Sequence, residues 1–204
     1  MEFYIDKETI SKEIILKGAI KYRKIMSIVN TTDVSKNEDF QKLFNGFYRV
    51  RQRNEEWYKE FYSLFEDCKK NPKTYDKLLL AFYNKTKRIE KSFISKMVAT
   101  LNPDMPIWDV YVIQNLGIKL KKYFSGRTRN ERKLNEVKYY CEIYKQIVDF
   151  YNSYLATKNA KDSIAEFNRV HPSYKDISDT KKIDFCYGAC AMESKTNMIK
   201  NKEF

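Results

Sequence analysis

Glycine and proline are scarce in this chain, whose 204 residues include 5 Gly and 4 Pro. A sandwich or barrel of many short strands needs frequent turns, and turns draw heavily on these two residue types. Apolar residues recur at helical spacing along most of the sequence. No segment shows the alternation with a period of two that is typical of a half-buried strand. The pattern therefore predicts an all-α fold.

The predicted helices are separated by short polar or proline-containing breaks. Asn71-Pro72 and His171-Pro172 each end a helix, and the segment from Asn102 to Pro106 forms a turn. The segment 74–101 reads either as one long helix or as two helices separated near Asn84. The predicted helices cover residues 9–29, 37–52, 54–70, 74–101, 109–122, 131–157, 161–170 and 178–193.

The length fits a single domain covering residues 1–204. A hydrophobic content of 43% and a charged content of 32% exclude a disordered tail. We expect two helical lobes with a cleft between them, one formed by residues 37–124 and the other by residues 1–36 with 125–204. No stretch approaches about 18 uninterrupted apolar residues, so we predict no membrane span. The mixed, acidic N-terminus does not resemble a secretory signal, and we expect a cytoplasmic protein.

The four cysteines, at positions 68, 141, 186 and 190, form no disulfide framework. Cys186 and Cys190 lie four residues apart, which suits one face of a helix. Two thiolates supply only half of a tetrahedral metal site, and His171 is the single histidine. We therefore predict reduced thiols, no metal site and no cofactor.

The formal net charge is +12, with 39 Lys and Arg against 27 Asp and Glu. A basic domain commonly binds nucleic acid. An AT-rich genome, which enriches Lys, Asn, Ile and Tyr together, is the alternative explanation. Clustering favours nucleic acid, because genome bias alone does not explain it. The first cluster contains Lys85, Lys87, Arg88, Lys91 and Lys96, and the second contains Lys119, Lys121, Lys122, Arg127, Arg129, Arg132 and Lys133.

The two basic clusters flank the turn around Pro103 and Pro106. If the helices on either side of this turn pack as a pair, both clusters border the same cleft. We then expect them to contact the phosphates of the nucleic acid.

The most distinctive segment runs from Lys91 to Gly117. It reads as a helix, a proline-containing turn, and then Trp108-Asp109 opening a second helix that leads to Leu116-Gly117. Over about residues 75–124 this arrangement resembles the helix-hairpin-helix DNA glycosylase superfamily, in which a proline-containing loop leads to an aspartate at a helix start. The family's glycine-rich hairpin is absent here, and the segment 84–89 stands near its place.

The resemblance implies an all-α, two-lobed fold and an enzyme that flips a damaged or modified base out of DNA and excises it. It implies that Asp109 is the catalytic carboxylate. In family members with lyase activity a lysine on the preceding helix is the nucleophile, and Lys91 and Lys96 are both candidates. A flipped base stacks against an aromatic or apolar side chain, and Trp108 and Tyr111 are the candidates for this role.

Ordinary structural interpretations stand beside these roles. Asp109 is a suitable N-cap for the helix that follows it, and a capping aspartate can also be catalytic. Ser92 and Ser95 lie on a helix face of small or polar residues, which lets either a base or another helix come close. Trp108 also suits a core position that anchors the turn.

Two functions remain open from the sequence. The first is a DNA glycosylase or a degenerate relative of one. The alternative is a non-catalytic helical protein that binds nucleic acid or another partner, of the kind found in mobile elements or phage conflict systems. Outside the distinctive segment, Asp184 near the start of the last helix is expected to pair with an inner lysine.

Overall fold

The computed structural model describes residue 5 and residues 7–50 and 52–200, with side chains described up to Ala189 except that of Asn115. Within these residues the chain is all-helical and contains no strand, as predicted. The helices are α1 (Lys7–Ser11), α2 (Glu13–Val29), α3 (Glu38–Tyr48), α4 (Glu55–Lys70), α5 (Tyr75–Thr86), α6 (Lys91–Leu101), α7 (Val110–Asn115), α8 (Arg129–Leu155), α9 (Lys158–Val170) and α10 (Asp179–Lys200), with a short 3₁₀ turn at Pro172–Tyr174.

Several helix ends differ from the predicted ones. The predicted helix 9–29 is interrupted at Lys12, and the segment 74–101 forms two helices. The helix predicted over 37–52 ends at Tyr48, because Arg49 adopts the left-handed conformation with φ of 53°. The helix predicted over 109–122 is wrong in length. It ends at Asn115, and Gly117 follows with φ of 64°, the left-handed geometry that commonly terminates a helix.

Side-chain caps fix the starts of α3, α4, α8 and α9. Asn37 and Asn54 accept hydrogen bonds from the backbone N–H groups three residues ahead, at the starts of α3 and α4. Thr157 does the same for α9. Thr128 and Glu131 form a reciprocal capping box at the start of α8. These contacts satisfy N–H groups that the first turn of a helix leaves without partners.

Aromatic side chains build much of the core. Phe40 and Phe44 of α3 pack against Phe61 and Phe65 of α4, and Trp57 stacks on Phe61 with ring centroids 4.9 Å apart. The main apolar cluster of the described residues draws on both of the lobes predicted from the sequence. A smaller cluster joins Ala19, Tyr22 and Ile177. Within the part of the chain that is described, no helix is long and apolar enough to cross a membrane.

The candidate site depends on how α6 and α10 are held. Helix α6 packs beside α5 and α4, whereas α10 packs against α2, α9 and α7. The turn after α6 is tied to both sides. Tyr144 of α8 donates to the Pro106 carbonyl at 2.8 Å, and Ser178 donates to the Pro103 carbonyl at 2.6 Å. This turn positions Asp109 between α6 and α10.

Candidate functional site

A cavity of about 380 Å³ lies among α2, α3, α6, α10 and the start of α7. The charged residues that line it differ in their exposure to solvent. Lys17, Lys21 and Arg49 are exposed at the mouth, Lys96 and Asp109 are half-buried, and Lys181 and Asp184 are buried. The described lining therefore holds five cations and two carboxylates, and this excess of positive charge favours an anionic ligand.

Asp109 caps α7 and also borders the cavity. Its Oδ1 accepts a hydrogen bond from the Tyr111 N–H at 2.9 Å, so the N-cap interpretation is confirmed. The same side chain is half-buried and lines the cavity wall together with the Tyr111 side chain. The cap fixes the carboxylate at the cavity without removing it from a ligand's reach.

Ser92, Ser95 and Trp108 lie outside this cavity and have a different role. The Trp108 N–H donates to Ser95 Oγ at 2.7 Å, and Ser92 Oγ donates to the Trp108 carbonyl at 2.9 Å. The Trp108 ring is 4% exposed and meets Tyr140 edge-on. These three residues, predicted to line a base pocket, clamp the turn onto α6 and so hold Asp109 in position.

Lys96 shares the cavity with Asp109. Burial lowers the pKa of its amine to about 8 from the ordinary value of 10.5, the nearby Asp109 opposes this shift, and Lys181 and Arg49 add to it. The amine donates to the Tyr48 carbonyl at 3.3 Å and lies 4.9 Å from the centre of the Phe93 ring. A lysine amine in such surroundings loses its proton more readily and becomes a nucleophile.

Lys91 lies on a different side of α6. Five residues correspond to about 500° of helical rotation, so residues 91 and 96 cannot share a face. The Lys91 amine is 4.1 Å from the centre of the Tyr140 ring of α8 and does not line the cavity. Burial lowers its pKa also, with Glu136 and Glu90 opposing the shift. Of the two predicted lysines, the structure brings Lys96 into the cavity with Asp109.

A buried ion pair forms the floor of the cavity. Lys181 Nζ lies 2.7 Å from Asp184 Oδ2, and Tyr151 donates to Asp184 Oδ1 at 2.7 Å. The two charged side chains are 2% and 3% exposed. Burial alone would lower the pKa of Lys181, but Asp184, Tyr48 and Tyr22 outweigh it and raise the pKa, so the amine stays charged. The inner lysine expected for Asp184 is therefore Lys181.

No role was predicted for the other cations of the cavity. Lys17 and Lys21 come from α2 and Arg49 from the end of α3, far from the distinctive segment. Their spacing is a weak signal, since residues four apart on α2 share a face. Gly18 lies between them, and a Cβ there would be 3.3 Å from Phe185 of α10.

The second basic cluster lies around the irregular segment 118–128 and the start of α8. We call its exposed cations the basic surface: Lys119, Lys121, Lys122, Arg127, Arg129 and Arg132. Among the described side chains, no carboxylate lies within 4 Å of any of their charged groups. Glu131 is close in sequence, but its carboxylate accepts from the backbone N–H groups of Arg127 and Thr128.

The first basic cluster is more heterogeneous. Lys85 pairs with Glu60 at 2.8 Å, and Lys87 ends α5 in the left-handed conformation. Arg88 is exposed. Only Lys96 of this cluster lines the cavity, and no residue of the basic surface does. The two clusters therefore do not border this cavity together, contrary to the expectation from the sequence.

The three described thiols and His171 do not line the cavity. Cys68 and Cys186 are buried, Cys141 is half-buried, and the side chain of Cys190 lies outside the described residues. His171 is buried, with Nε2 2.9 Å from the Ile10 carbonyl. Across the described part of the chain, no group of three His, Cys, Asp or Glu side chains is arranged to hold a metal ion.

Comparison with known proteins gives one weak similarity. Argininosuccinate lyase of Buchnera aphidicola subsp. Cinara cedri (strain Cc) is 25% identical over 129 residues, which cover 60% of this chain and 26% of the lyase. The chain thus spans about a quarter of the length of the curated relative that it matches. No protein-family model matches the chain. No solved structure matches it.

Proposed function

We propose that this chain binds DNA, flips a damaged or modified base into the cavity and excises it, with Asp109 as the catalytic carboxylate. The observation that carries the proposal is that Asp109 and Lys96 line one cavity of about 380 Å³. These two residue types are the ones to which the glycosylase resemblance assigns the chemistry. A cavity of this size lies within the usual range for small-ligand sites, and Tyr111 supplies an aromatic wall.

Asp109 acts on the charge that develops on the sugar. When the N-glycosidic bond breaks, its electron pair leaves with the base and positive charge appears at the sugar C1′. A fixed carboxylate stabilises that charge more than it stabilises the neutral ground state. Water then bonds to C1′ and loses a proton, which leaves an abasic site. The cap from the Tyr111 N–H holds the carboxylate in place before the substrate arrives.

Lys96 gives the site a second step. With a pKa of about 8, roughly a tenth of the amine is neutral at pH 7. The abasic sugar opens to its C1′ aldehyde, the neutral amine adds to that carbonyl, and loss of one water molecule leaves an imine between Lys96 and C1′. Such an intermediate permits cleavage of the strand next to the abasic site. Nucleophilic lysines are commonly activated by burial beside another cation, and Lys181 and Arg49 provide that here.

The test is an excision assay on a panel of duplexes, each carrying one damaged or modified base, followed by alkali cleavage. Asp109→Asn keeps the cap and removes the charge, so we expect excision to fall by about a hundredfold or more while binding changes less than about twofold. Lys96→Met should abolish trapping of the imine by borohydride. Lys91→Met is the matched control, since Lys91 lies on the same helix outside the cavity, and it should retain both activities.

Two results would contradict this function. One is wild-type protein that binds the panel and leaves every base in place. The other is Asp109→Asn protein that excises as fast as the wild type. Loss of trapping in Lys91→Met but not in Lys96→Met would instead reassign the nucleophile.

The second candidate is a non-catalytic nucleic-acid-binding protein. The observation in its favour is that the six cations of the basic surface have no carboxylate partners among the described side chains and do not line the cavity. Binding through them needs no chemistry at Asp109. Salt-dependent binding without excision would support this candidate. The similarity to argininosuccinate lyase carries no proposal, since it covers only 26% of that enzyme.

A further inference from the structure

Tyr123 is the most exposed large hydrophobic side chain of those described. It is 89% exposed, whereas the others that reach the surface, such as Val110 and Leu120, are 54% and 37% exposed. Most tyrosines of this chain pack in the core, so this one departs from the pattern. An aromatic ring that is held in water carries a cost in hydrophobic free energy unless a partner covers it.

The segment that presents Tyr123 is fastened to α8 on both sides of it. Phe124 turns inward and packs 5.4 Å from the Tyr139 ring, and the Lys121 N–H donates to the Tyr139 hydroxyl at 3.2 Å. Asn135 donates to the Ser125 carbonyl at 2.9 Å. The ring is therefore displayed by an anchored backbone, which lowers the entropic cost of binding a partner.

Gly126 allows the close approach of this segment to α8. A Cβ at this position would lie 2.7 Å from the Arg132 backbone nitrogen, and Gly126 has φ of 152°. The Arg132 guanidinium donates to the Gly126 carbonyl at 3.0 Å. The same contact orients a cation of the basic surface beside the tyrosine.

Cations surround the ring and indicate the charge of its partner. Lys121 and Lys122 precede it directly. A shallow cavity of about 230 Å³ beside it is lined by Arg129 and Arg132, together with Lys133 and Glu136, whose charges pair with each other. An aromatic ring among cations that have no carboxylate partner in the described residues fits a strand whose phosphates contact the cations while a base stacks on the ring. A membrane surface is a poorer match, since the neighbouring Leu120 is only 37% exposed and supplies little apolar area.

We propose that Tyr123 stacks on an unpaired nucleobase, so that the basic surface prefers single-stranded or locally unpaired DNA to intact duplex. This inference rests on the proposed binding of DNA and adds the structural state of the DNA that is bound. In a paired duplex both faces of each base are already stacked, and the ring gains no contact. An unpaired base offers a free π face, whatever its sequence.

The experiment compares two DNAs, a single-stranded oligothymidylate and a fully paired duplex, by fluorescence anisotropy at several salt concentrations. Tyr123→Ala should weaken binding to the single strand by roughly tenfold to a hundredfold, with binding to the duplex changed less than about twofold. Tyr123→Phe keeps the ring and should match the wild type. Tyr123→Leu keeps apolar bulk without the ring and should behave like Tyr123→Ala. The salt slopes of all variants should agree, since no cation is removed.

A fluorescent base gives a direct signal. A strand with one 2-aminopurine should be quenched on binding to wild type and to Tyr123→Phe, and not on binding to Tyr123→Leu. Equal affinity of wild type and Tyr123→Ala for the single strand would overturn the inference while leaving DNA binding intact. Failure of the wild type to bind either DNA at low salt would overturn the proposed function itself. Quenching that persists in Tyr123→Leu would place the stacking elsewhere.

Discussion

The cavity and the basic surface use positive charge in opposite ways. In the cavity, the Lys181 amine donates a hydrogen bond to Asp184, and the Lys96 amine donates one to the Tyr48 carbonyl. Both amines are withdrawn from solvent. On the basic surface six cations are exposed with no carboxylate partner among the described side chains. The first arrangement fixes charge at defined positions, and the second leaves it available to a long polyanion.

The two arrangements also differ in their desolvation free energy. Removing a charged group from water costs several kcal/mol, which a close partner must offset. An exposed cation keeps its hydration, so it adds little to folding and acts mainly through long-range attraction that salt screens. Substitutions in the cavity should therefore change stability and chemistry, whereas substitutions on the basic surface should change binding alone.

The largest expected effect on folding comes from breaking the buried pair. Asp184→Ala leaves the Lys181 charge without its partner and removes the acceptor of the Tyr151 hydroxyl. We expect the free energy of unfolding to fall by about 3 to 5 kcal/mol, measured by urea denaturation. Asp149→Ala is the control, since it breaks the Lys145–Asp149 pair, whose side chains are 76% and 58% exposed. That change should stay within about 1 kcal/mol. Equal losses in the two variants would remove the distinction between the regions.

The next effect is the part of the pH dependence of stability that Lys96 contributes. Its pKa is about 8 in the folded protein and 10.5 ordinarily, so between these values the unfolded chain binds more protons. Stability contributed by this residue should therefore rise as pH increases through that window and stay low below it. Relative to Lys96→Met, the wild type should gain at most about 3 kcal/mol between pH 8 and pH 10.5.

Urea denaturation at several pH values between 7 and 10 measures this difference. Lys145→Met controls for the loss of one exposed positive charge. A constant difference between wild type and Lys96→Met across the window would show that the amine is not desolvated. Borohydride trapping should increase with pH over the lower part of the same window, because the neutral amine is the nucleophile.

Substitutions on the basic surface should change DNA binding and leave the free energy of unfolding almost unchanged. Replacing Lys121, Lys122, Arg127 and Arg129 by Gln should reduce the slope of log affinity against log salt by roughly 3 to 4, about 0.9 for each phosphate that is no longer neutralised. The free energy of unfolding should change little, because all four side chains are exposed. Filter binding across a salt series measures the slope.

A second set of four substitutions is matched in net charge and leaves the basic surface intact. It replaces exposed cations that already have carboxylate partners: Lys36, Lys42, Lys145 and Arg169. If this set reduces the slope as much as the first set does, net charge rather than position governs binding.

The sequence predicted the helices well where a periodic apolar stripe and a capping residue agree, as at Asn54 and α4. It predicted α7 too long because Leu116 and Leu120 continue the apolar spacing. Gly117 was the contrary signal, since a glycine in the left-handed conformation ends helices. The local sequence pattern alone does not show whether Gly117 ends the helix or the apolar spacing continues it.

Only those residues of the candidate site that lie close together in the sequence could be predicted. Asp109 and Lys96 lie in one continuous segment, and a resemblance over that segment suggested a role for Asp109 and for either Lys91 or Lys96. Spacing alone could not decide between Lys91 and Lys96, because the cavity's side of α6 depends on α10. Lys181 and Arg49 reach the cavity from distant parts of the chain, and no local pattern encodes such an approach. Tyr123 was not predicted either, since most tyrosines of this chain are buried and no local pattern marks the exposed one.

The smallest expected effect comes from making the same backbone change once at the cavity and once at a position outside it. Arg49 at the cavity mouth and Lys87 after α5 both adopt the left-handed conformation, with φ of 53° and 57°. Glycine adopts it without steric cost, so Arg49→Gly and Lys87→Gly should each raise the free energy of unfolding by about 0.5 to 1 kcal/mol. Of these two residues, Arg49 alone helps to lower the pKa of Lys96, so of the two variants only Arg49→Gly should move the midpoint of the trapping profile to higher pH. Urea denaturation and the pH profile of trapping measure the two effects separately. If Lys87→Gly also moves the midpoint, the field at Lys96 arises from the whole charge distribution rather than from the cations beside it.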